Sequence, residues 1–285
     1  MIVALILSLA IPALQGAYLP QRVFDTRRND FTDFESMLAD LARADVVFVG
    51  EQHDDPNTHR LELAIVEGLS QRGIPVVVGM EMFERDVQST VDEYLAGKLA
   101  EEAFVKDSRA WPRYASDYRA LIEFAKANHL PVIASDIPRR IASDVGKSGM
   151  SVIDGLGADR KLAAREMNCP TSGDYYTRFA EAMGGHEGSN ANFYFAQCVK
   201  DETMGESVAD AFQKNRGGHV TIVHFNGAFH SDFGEGAADS ARRRLPGRRV
   251  AVVSVLPVDN LDTLKPADDD LKRADYLLYT TGKKP

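Results

Sequence analysis

An α/β fold, a mostly parallel β-sheet flanked by helices with a smaller all-helical lobe, is what the sequence predicts, on three grounds. Short apolar runs rich in β-branched residues recur along the chain, helical patterns separate them, and the long stretch between Asp136 and Val220 holds helical patterns and no convincing strand. Apolar runs without polar alternation belong to strands covered on both faces, the signature of a parallel sheet. A block of helices without strands folds as a lobe beside such a sheet. At 285 residues, 44% hydrophobic and 26% charged, the chain has ordinary globular composition. We read residues 18–285 as one α/β domain with a helical insertion at about 137–216.

The elements follow in order. Residues 1–17 open with MIVALILSLAIPAL and continue into Gln15-Gly16-Ala17; they read as a signal peptide with its cleavage zone, too short to span a bilayer comfortably. No Lys or Arg precedes the apolar run and there is no clean A-x-A site, so a buried N-terminal strand is the competing reading. The expectation is export to the periplasm or cell envelope, without a lipid anchor because no lipobox cysteine is present. The first strand is Asp45–Val49. The helix at 56–72 takes Asp55 as N-cap and Pro56 at its first position, aligns Leu61, Ile65, Val66 and Leu69, and stops at Gly73. Pro75–Gly79 is the second strand, followed by a helix over Phe83–Tyr94. Tyr118–Asn128 is a helix leading into the third strand at Pro131–Ala134. The insertion carries helices at Arg140–Gly146, Val152–Leu156, Asp174–Met183 and Asn190–Lys214, with a polar Gly-rich turn at Gly184–Gly188. Strands at Val220–Val223 and Val250–Val253 complete the sheet.

The formal charge of −9 repels phosphate backbones, and no long basic run offsets it, so nucleic acid is not an expected partner. Cys169 and Cys198 are the two cysteines; their number excludes thiolate zinc sites and c-type haem attachment, and leaves open whether they pair.

In an open α/β sheet the ligand crevice lies beyond the carboxyl ends of the strands. The first strand delivers Gly50-Glu51-Gln52-His53 there, the second Gly79-Met80-Glu81, the third Ser135-Asp136, and the fourth a run from His224 to His230. Two of these share the spacing Gly-x-x-His. Glycine at the strand exit permits a tight turn and close approach of a ligand, and the imidazole three residues on stays above the sheet edge. His53 and His230 with Glu81 make a two-histidine, one-carboxylate metal set, or a proton-transfer set without metal. Taken singly, each residue has a plainer role: His53 bonding its own loop, Glu81 as a salt-bridge partner, Asp136 as a helix cap. His59, His129 and His219 read as structural or solvated. His186, in the Gly-rich loop, is undecided.

The segments GEQHDDPNTHR, VVVGMEMFERD with the following YLAGKL, YRALIEFAKANHLPVIASDIPR, and AQCVKDETMGESVA then HFNGAFHSDFG together resemble the ChaN-like haem-binding uptake family. That family belongs to a superfamily with Tiki proteases, TraB proteins and erythromycin esterases. The resemblance runs from about Phe34 to Val255. It implies ferric haem as cofactor, bound at the surface through a tyrosine, with a homodimer that forms around the haem. An apolar groove would hold the macrocycle, and Arg or Lys would meet the propionates. Tyr118, in the matching YRALIEFA segment, is the first candidate ligand; Tyr114, one helical turn earlier, is the second; Tyr175 and Tyr176 follow. One departure is the second histidine motif, which in the family is more often a compact Gly-Asn-Gly-His and here resembles the protease branch.

The leading expectation is therefore an exported haem-binding protein of iron uptake. The alternative is a metal-dependent hydrolase in which His53, Glu81 and His230 hold a divalent ion that activates water. A third reading is an esterase using His and Glu without metal.

Overall fold

In a computed structural model the chain is described over residues 18–184, 191–215 and 217–282. The N-terminal segment expected to be a signal peptide, the Gly-rich turn beyond Gly184 and His186 lie outside the described residues. The strands are β1 (Gln21–Asp25), β2 (Asp30–Thr32), β3 (Val46–Glu51), β4 (Val76–Glu84), β5 (Val132–Asp136), β6 (Thr221–Gly227), β7 (Val250–Val258) and β8 (Tyr276–Thr281). The helices are α1 (Phe34–Leu41), α2 (Pro56–Gln71), α3 (Gln88–Leu95), α4 (Glu101–Asp107), α5 (Arg119–Ala127), α6 (Arg139–Ser148), α7 (Ser151–Asp154), α8 (Asp174–Ala182), α9 (Ala191–Lys214) and α10 (Gly236–Arg244).

The strands form one sheet in the order β2-β1-β8-β7-β3-β6-β4-β5. From β8 to β5 every pairing is parallel, and β1 joins this block antiparallel to β8. All five predicted strands are present. The additions, β1, β2 and β8, widen one side of the sheet, and most of them is antiparallel.

Alternate residues of the central strands serve two cores, as the two-residue period of a strand requires. Val47, Val49, Val78, Val223 and Val253 face Leu38 of α1, Leu61 and Ile65 of α2, Val91 of α3 and Leu121 of α5. Val46, Phe48, Val77, Ile222 and Val252 face Met204, Val208 and Phe212 of α9 and Ala237 and Ala241 of α10. Helix α2 starts as expected: the Asp55 side chain accepts from the Asn57 amide, Pro56 opens the helix, and Gly73 follows it in the left-handed region at φ +71°.

One sequence reading changes. Phe83 belongs to β4, which runs on to Glu84, and the helix expected at Phe83–Tyr94 starts only at Gln88. A register shift between β4 and β5 after Met80 accounts for the longer strand. Val91 and Tyr94 of α3 lie in the core on the face opposite α9. The lobe is built where Ile141 and Val145 of α6 and Ile153 of α7 pack on Val199 of α9. Helix α9, 24 residues and so about 36 Å long, is shared between lobe and sheet. Cys169 and Cys198 form a disulfide that ties the segment before α8 to α9, which closes the question the sequence left open.

Candidate functional site

The strand ends expected to carry chemistry converge. The chain leaves β3 through Gly50 and β6 through Gly227, and neither glycine has a positive φ. Their role is close approach: a Cβ on Gly50 would stand 2.9 Å from the Cα of Ala228, and one on Gly227 would stand 2.7 Å from Nε2 of His53. Each motif's glycine thus makes room for the other motif.

Glu81, in the second half of β4 and 2% exposed, is the hub. Its Oε2 accepts the Gly227 amide at 2.8 Å. Its Oε1 accepts from Lys200 Nζ at 2.8 Å and lies 3.3 Å from Nε2 of His230. Lys200 is also 3.4 Å from Asp136 at the end of β5. On its far side, His230 Nδ1 donates to Asp201 Oδ1 at 2.6 Å, and the hydroxyl of Tyr175 donates to Asp201 Oδ2 at 2.5 Å. The result is a chain of alternating charge, Asp136–Lys200–Glu81–His230–Asp201, buried under the crevice.

Burial opposes every charge in this chain, and the neighbours decide the outcome. Burial would lower His230, but Glu81 and Asp201 raise it to about 10, so it is an imidazolium at neutral pH. Burial would raise Glu81, but Lys200 and His230 hold it well below the usual carboxylate range. Lys200 stays above its ordinary value because Asp136 and Glu81 outweigh burial. Asp136 is pushed up by burial, against Lys200, to about 6. His224, in the same strand as Gly227, is different: burial lowers it to about 4, and its ring bonds Ser135 and Asn226, so it is a neutral core histidine.

Both oxygens of Glu81 are engaged, Oε1 by Lys200 and Oε2 by the Gly227 amide, and Nδ1 of His53 is bonded to Glu51, which leaves its Nε2 turned toward Gly227. Among the described residues, the group of His, Asp and Glu whose ligand atoms lie within 4.8 Å of one another is Glu51, His59 and Glu62.

The tyrosines divide into two pairs. Tyr118, in a π-helical turn before α5, is 2% exposed and donates to Glu51 Oε1 at 2.7 Å. Tyr114, at the start of that turn, is 3% exposed. Both belong to the core beneath α2 and α5. Tyr175 and Tyr176, on α8, are half-buried in an aromatic cluster with Phe179, Tyr194 and Phe229. Tyr175 lines a cavity of about 1010 Å³ that opens above the crevice. His53, Gln197 and His230 line it with the apolar Phe179, Met183, Phe229 and Phe233, the cations Arg178, Lys272 and Arg273, and the acids Glu51, Asp174, Glu181, Asp232, Glu235 and Asp269. Arg178 is paired with Glu235 and stacks on Phe233, and Arg273 pairs with Asp232 at 2.5 Å. Burial and Asp201 hold the Tyr175 hydroxyl well above its ordinary value, so it is a phenol in this arrangement.

Sequence reasoning named the strand-end acids and histidines and missed their partners on α9, Gln197, Lys200 and Asp201. These sit in AQCVKDETMG, where the one available signal is a Lys-Asp pair in an otherwise buried helical face.

The family described as haem-binding uptake, Tiki superfamily, ChaN, matches residues 37–240. No curated protein sequence matches the chain. Among solved structures, the fold is similar to ChaN of Campylobacter jejuni, described with cofacial haem binding, at TM-score 0.70 and 16% identity over 92% of this chain and 97% of that one. A Bacillus cereus protein is similar at TM-score 0.50 and 14% identity, over 88% of this chain and 92% of that one. A succinoglycan biosynthesis protein is similar at TM-score 0.50 and 13% identity, over 88% and 91%.

Proposed function

Because the chain belongs to the ChaN-type haem-binding uptake family of the Tiki superfamily, we propose that it holds ferric haem in the cavity beside α8 as part of haem and iron uptake. The observation that carries the reading is the lining of that cavity: aromatic and thioether side chains and a tyrosine, with Arg178, Lys272 and Arg273 set among six carboxylates. Its volume suits a ligand site at the upper end of the range of about 300–1,000 Å³. Haem would bring a redox-active iron; the chain's residues would supply the ligand, the apolar walls and the charges for the propionates.

Tyr175 is the candidate ligand, ahead of Tyr176. Tyr118 and Tyr114, first and second on the sequence pattern, are enclosed in the core and do not line the cavity. As ligand, Tyr175 would give up the proton it now donates to Asp201. Lys272 would meet a propionate, and Arg178 and Arg273 would do so on exchanging Glu235 and Asp232 for it. A haem-dependent homodimer belongs to the same reading, since Met183, 45% exposed at the cavity edge, offers an apolar surface that a second copy would cover. Export is supported by the Cys169–Cys198 disulfide, because such bonds persist in oxidising compartments. The hydrolytic alternative on His53, Glu81 and His230 needs Lys200 displaced from Glu81, which places it second.

Haemin titration of the purified chain, followed by absorption spectroscopy and sedimentation, tests the proposal. Saturable binding with a tyrosinate-type ferric spectrum is expected, lost in Tyr175→Phe and retained in Tyr118→Phe. Non-saturable binding, or a spectrum lost in Tyr118→Phe and unchanged in Tyr175→Phe, refutes it.

A further inference from the structure

Behind the crevice, on the α2 side of β3, lies a second cluster that the haem reading does not use. Glu51 at the end of β3 and His59 and Glu62 on α2 are enclosed, their side chains 0%, 2% and 1% exposed. Residues 59 and 62, three apart, share one helical face turned toward the strand. His59 Nδ1 is 3.1 Å from Glu62 Oε2 and 3.7 Å from Glu51 Oε2, and the three ligand atoms all lie within 4.8 Å of one another.

The hydrogen bonds around the cluster separate its atoms into engaged and unengaged ones. Glu51 Oε1 accepts from Tyr118 and is bonded to His53 Nδ1, while Oε2 has no hydrogen-bond partner. Glu62 Oε1 is likewise buried without a partner. His59 Nε2 faces the backbone carbonyl of His53 at 3.2 Å, a contact in which that nitrogen must donate. Nδ1 is then the nitrogen turned toward the two carboxylates. Lone pair against carboxylate oxygens is repulsive unless a proton or a cation stands between them. Metal-bound histidines have this arrangement, one nitrogen on the ion and the other donating to a carbonyl.

We propose that Glu51, His59 and Glu62 bind a first-row divalent cation, of which Zn²⁺ is the best fit. Zinc bonds of about 2.0–2.1 Å in a tetrahedron set ligand atoms roughly 3.3–3.4 Å apart. The two spacings from His59 Nδ1, 3.1 and 3.7 Å, straddle that value. A mixed imidazole and carboxylate set suits zinc or manganese better than magnesium, which keeps several waters. The three side chains are enclosed, and the site adjoins the cavity through Glu51, whose carboxylate, which orients His53, the ion would fix.

The competing account is a proton in place of the ion. Burial, with Glu51 and Asp117 alongside, drives Glu62 well above the usual carboxylate range, so a neutral Glu62 could donate within the cluster instead. The test uses the untagged full chain, stripped with chelator, reloaded with Zn²⁺ or Mn²⁺ alone and dialysed, with metal content measured by elemental analysis and thermal unfolding followed in parallel. Expected is about one equivalent of Zn²⁺ per chain and a higher Tm than the stripped protein. In Glu62→Gln, which keeps the shape of the side chain, the equivalent and the Tm gain are both lost; in His230→Gln both are kept. Absence of bound Zn²⁺ and Mn²⁺ in the unaltered chain, with no change in Tm, overturns the proposal without recourse to any variant. So does an equivalent that survives Glu62→Gln and disappears in His230→Gln.

Discussion

Replacing Lys200 by Met keeps the length of the side chain and removes the charge that Glu81 and Asp136 share. Lys200 Nζ sits 2.8 Å from one carboxylate and 3.4 Å from the other, and the carboxylates are 2% and 8% exposed. Removing one partner of a buried ion pair costs about 3–5 kcal/mol, because the remaining charge stays desolvated. His230 still neutralises part of Glu81, so the low end, about 3 kcal/mol, applies at pH 8. The pH dependence gives the sharper test. Asp136 already has a folded value near 6, above its ordinary 3.8, with Lys200 opposing the rise. An acid raised in the folded state destabilises the protein at pH above that value and ceases to do so as pH falls toward its unfolded value. Without Lys200 the carboxyl rises further, so the deficit of the variant shrinks between pH 8 and pH 5. Urea unfolding at both pH values, with m unchanged, measures it. A loss below about 1 kcal/mol at pH 8, or a loss of equal size at both pH values, would refute the account of Lys200 as the shared counter-charge.

Other expectations follow from the same contacts. His230 has a folded value near 10, above its ordinary 6.5, so its share of stability is complete below pH 6.5 and is lost as pH rises toward 10; the stability of the unaltered protein should fall across that window and that of His230→Gln should fall less. Gly227→Ala would put a methyl 2.7 Å from His53 Nε2, and should displace the His53 ring, read as a changed imidazole NMR signal, with the fold retained. Tyr118→Phe removes a buried donor to Glu51 and should cost about 1–3 kcal/mol in denaturant unfolding. Reducing the disulfide opens a loop with a separation of 29 residues and should cost about 3–4 kcal/mol on the chain-entropy account.

The central sheet was legible because a strand buried on both faces writes a continuous apolar run, as in VVFVG and VVVGM. The side strands were not. QRVFD of β1 mixes polar and apolar residues, and β2 has three residues, so neither carries a periodic signal. YLLYTT of β8 has the composition of a strand and is not among the strands the sequence predicts. Within the site, the rule that chemistry collects at carboxyl strand ends located Glu51, Glu81, Asp136 and His230 correctly in space. It could not supply Lys200, which meets Glu81 across 119 residues of sequence. Nor does a pattern distinguish an enclosed tyrosine from a cavity-lining one: Tyr118 and Tyr175 differ in tertiary surroundings alone. His59 was read as structural or solvated, yet its pairing with Glu62 three residues on was visible as a shared helical face.

The Cys169–Cys198 bond has a practical side for anyone producing the protein. It anchors the chain five residues ahead of α8, the helix that brings Tyr175 and Phe179 to the cavity, and holds it against α9. Material made in a reducing cytosol would carry that wall on an untied segment. Ligand titrations on such material would then report the oxidation state of two sulfurs as much as the affinity of the cavity, and a thiol assay on each preparation becomes part of measuring the binding constant.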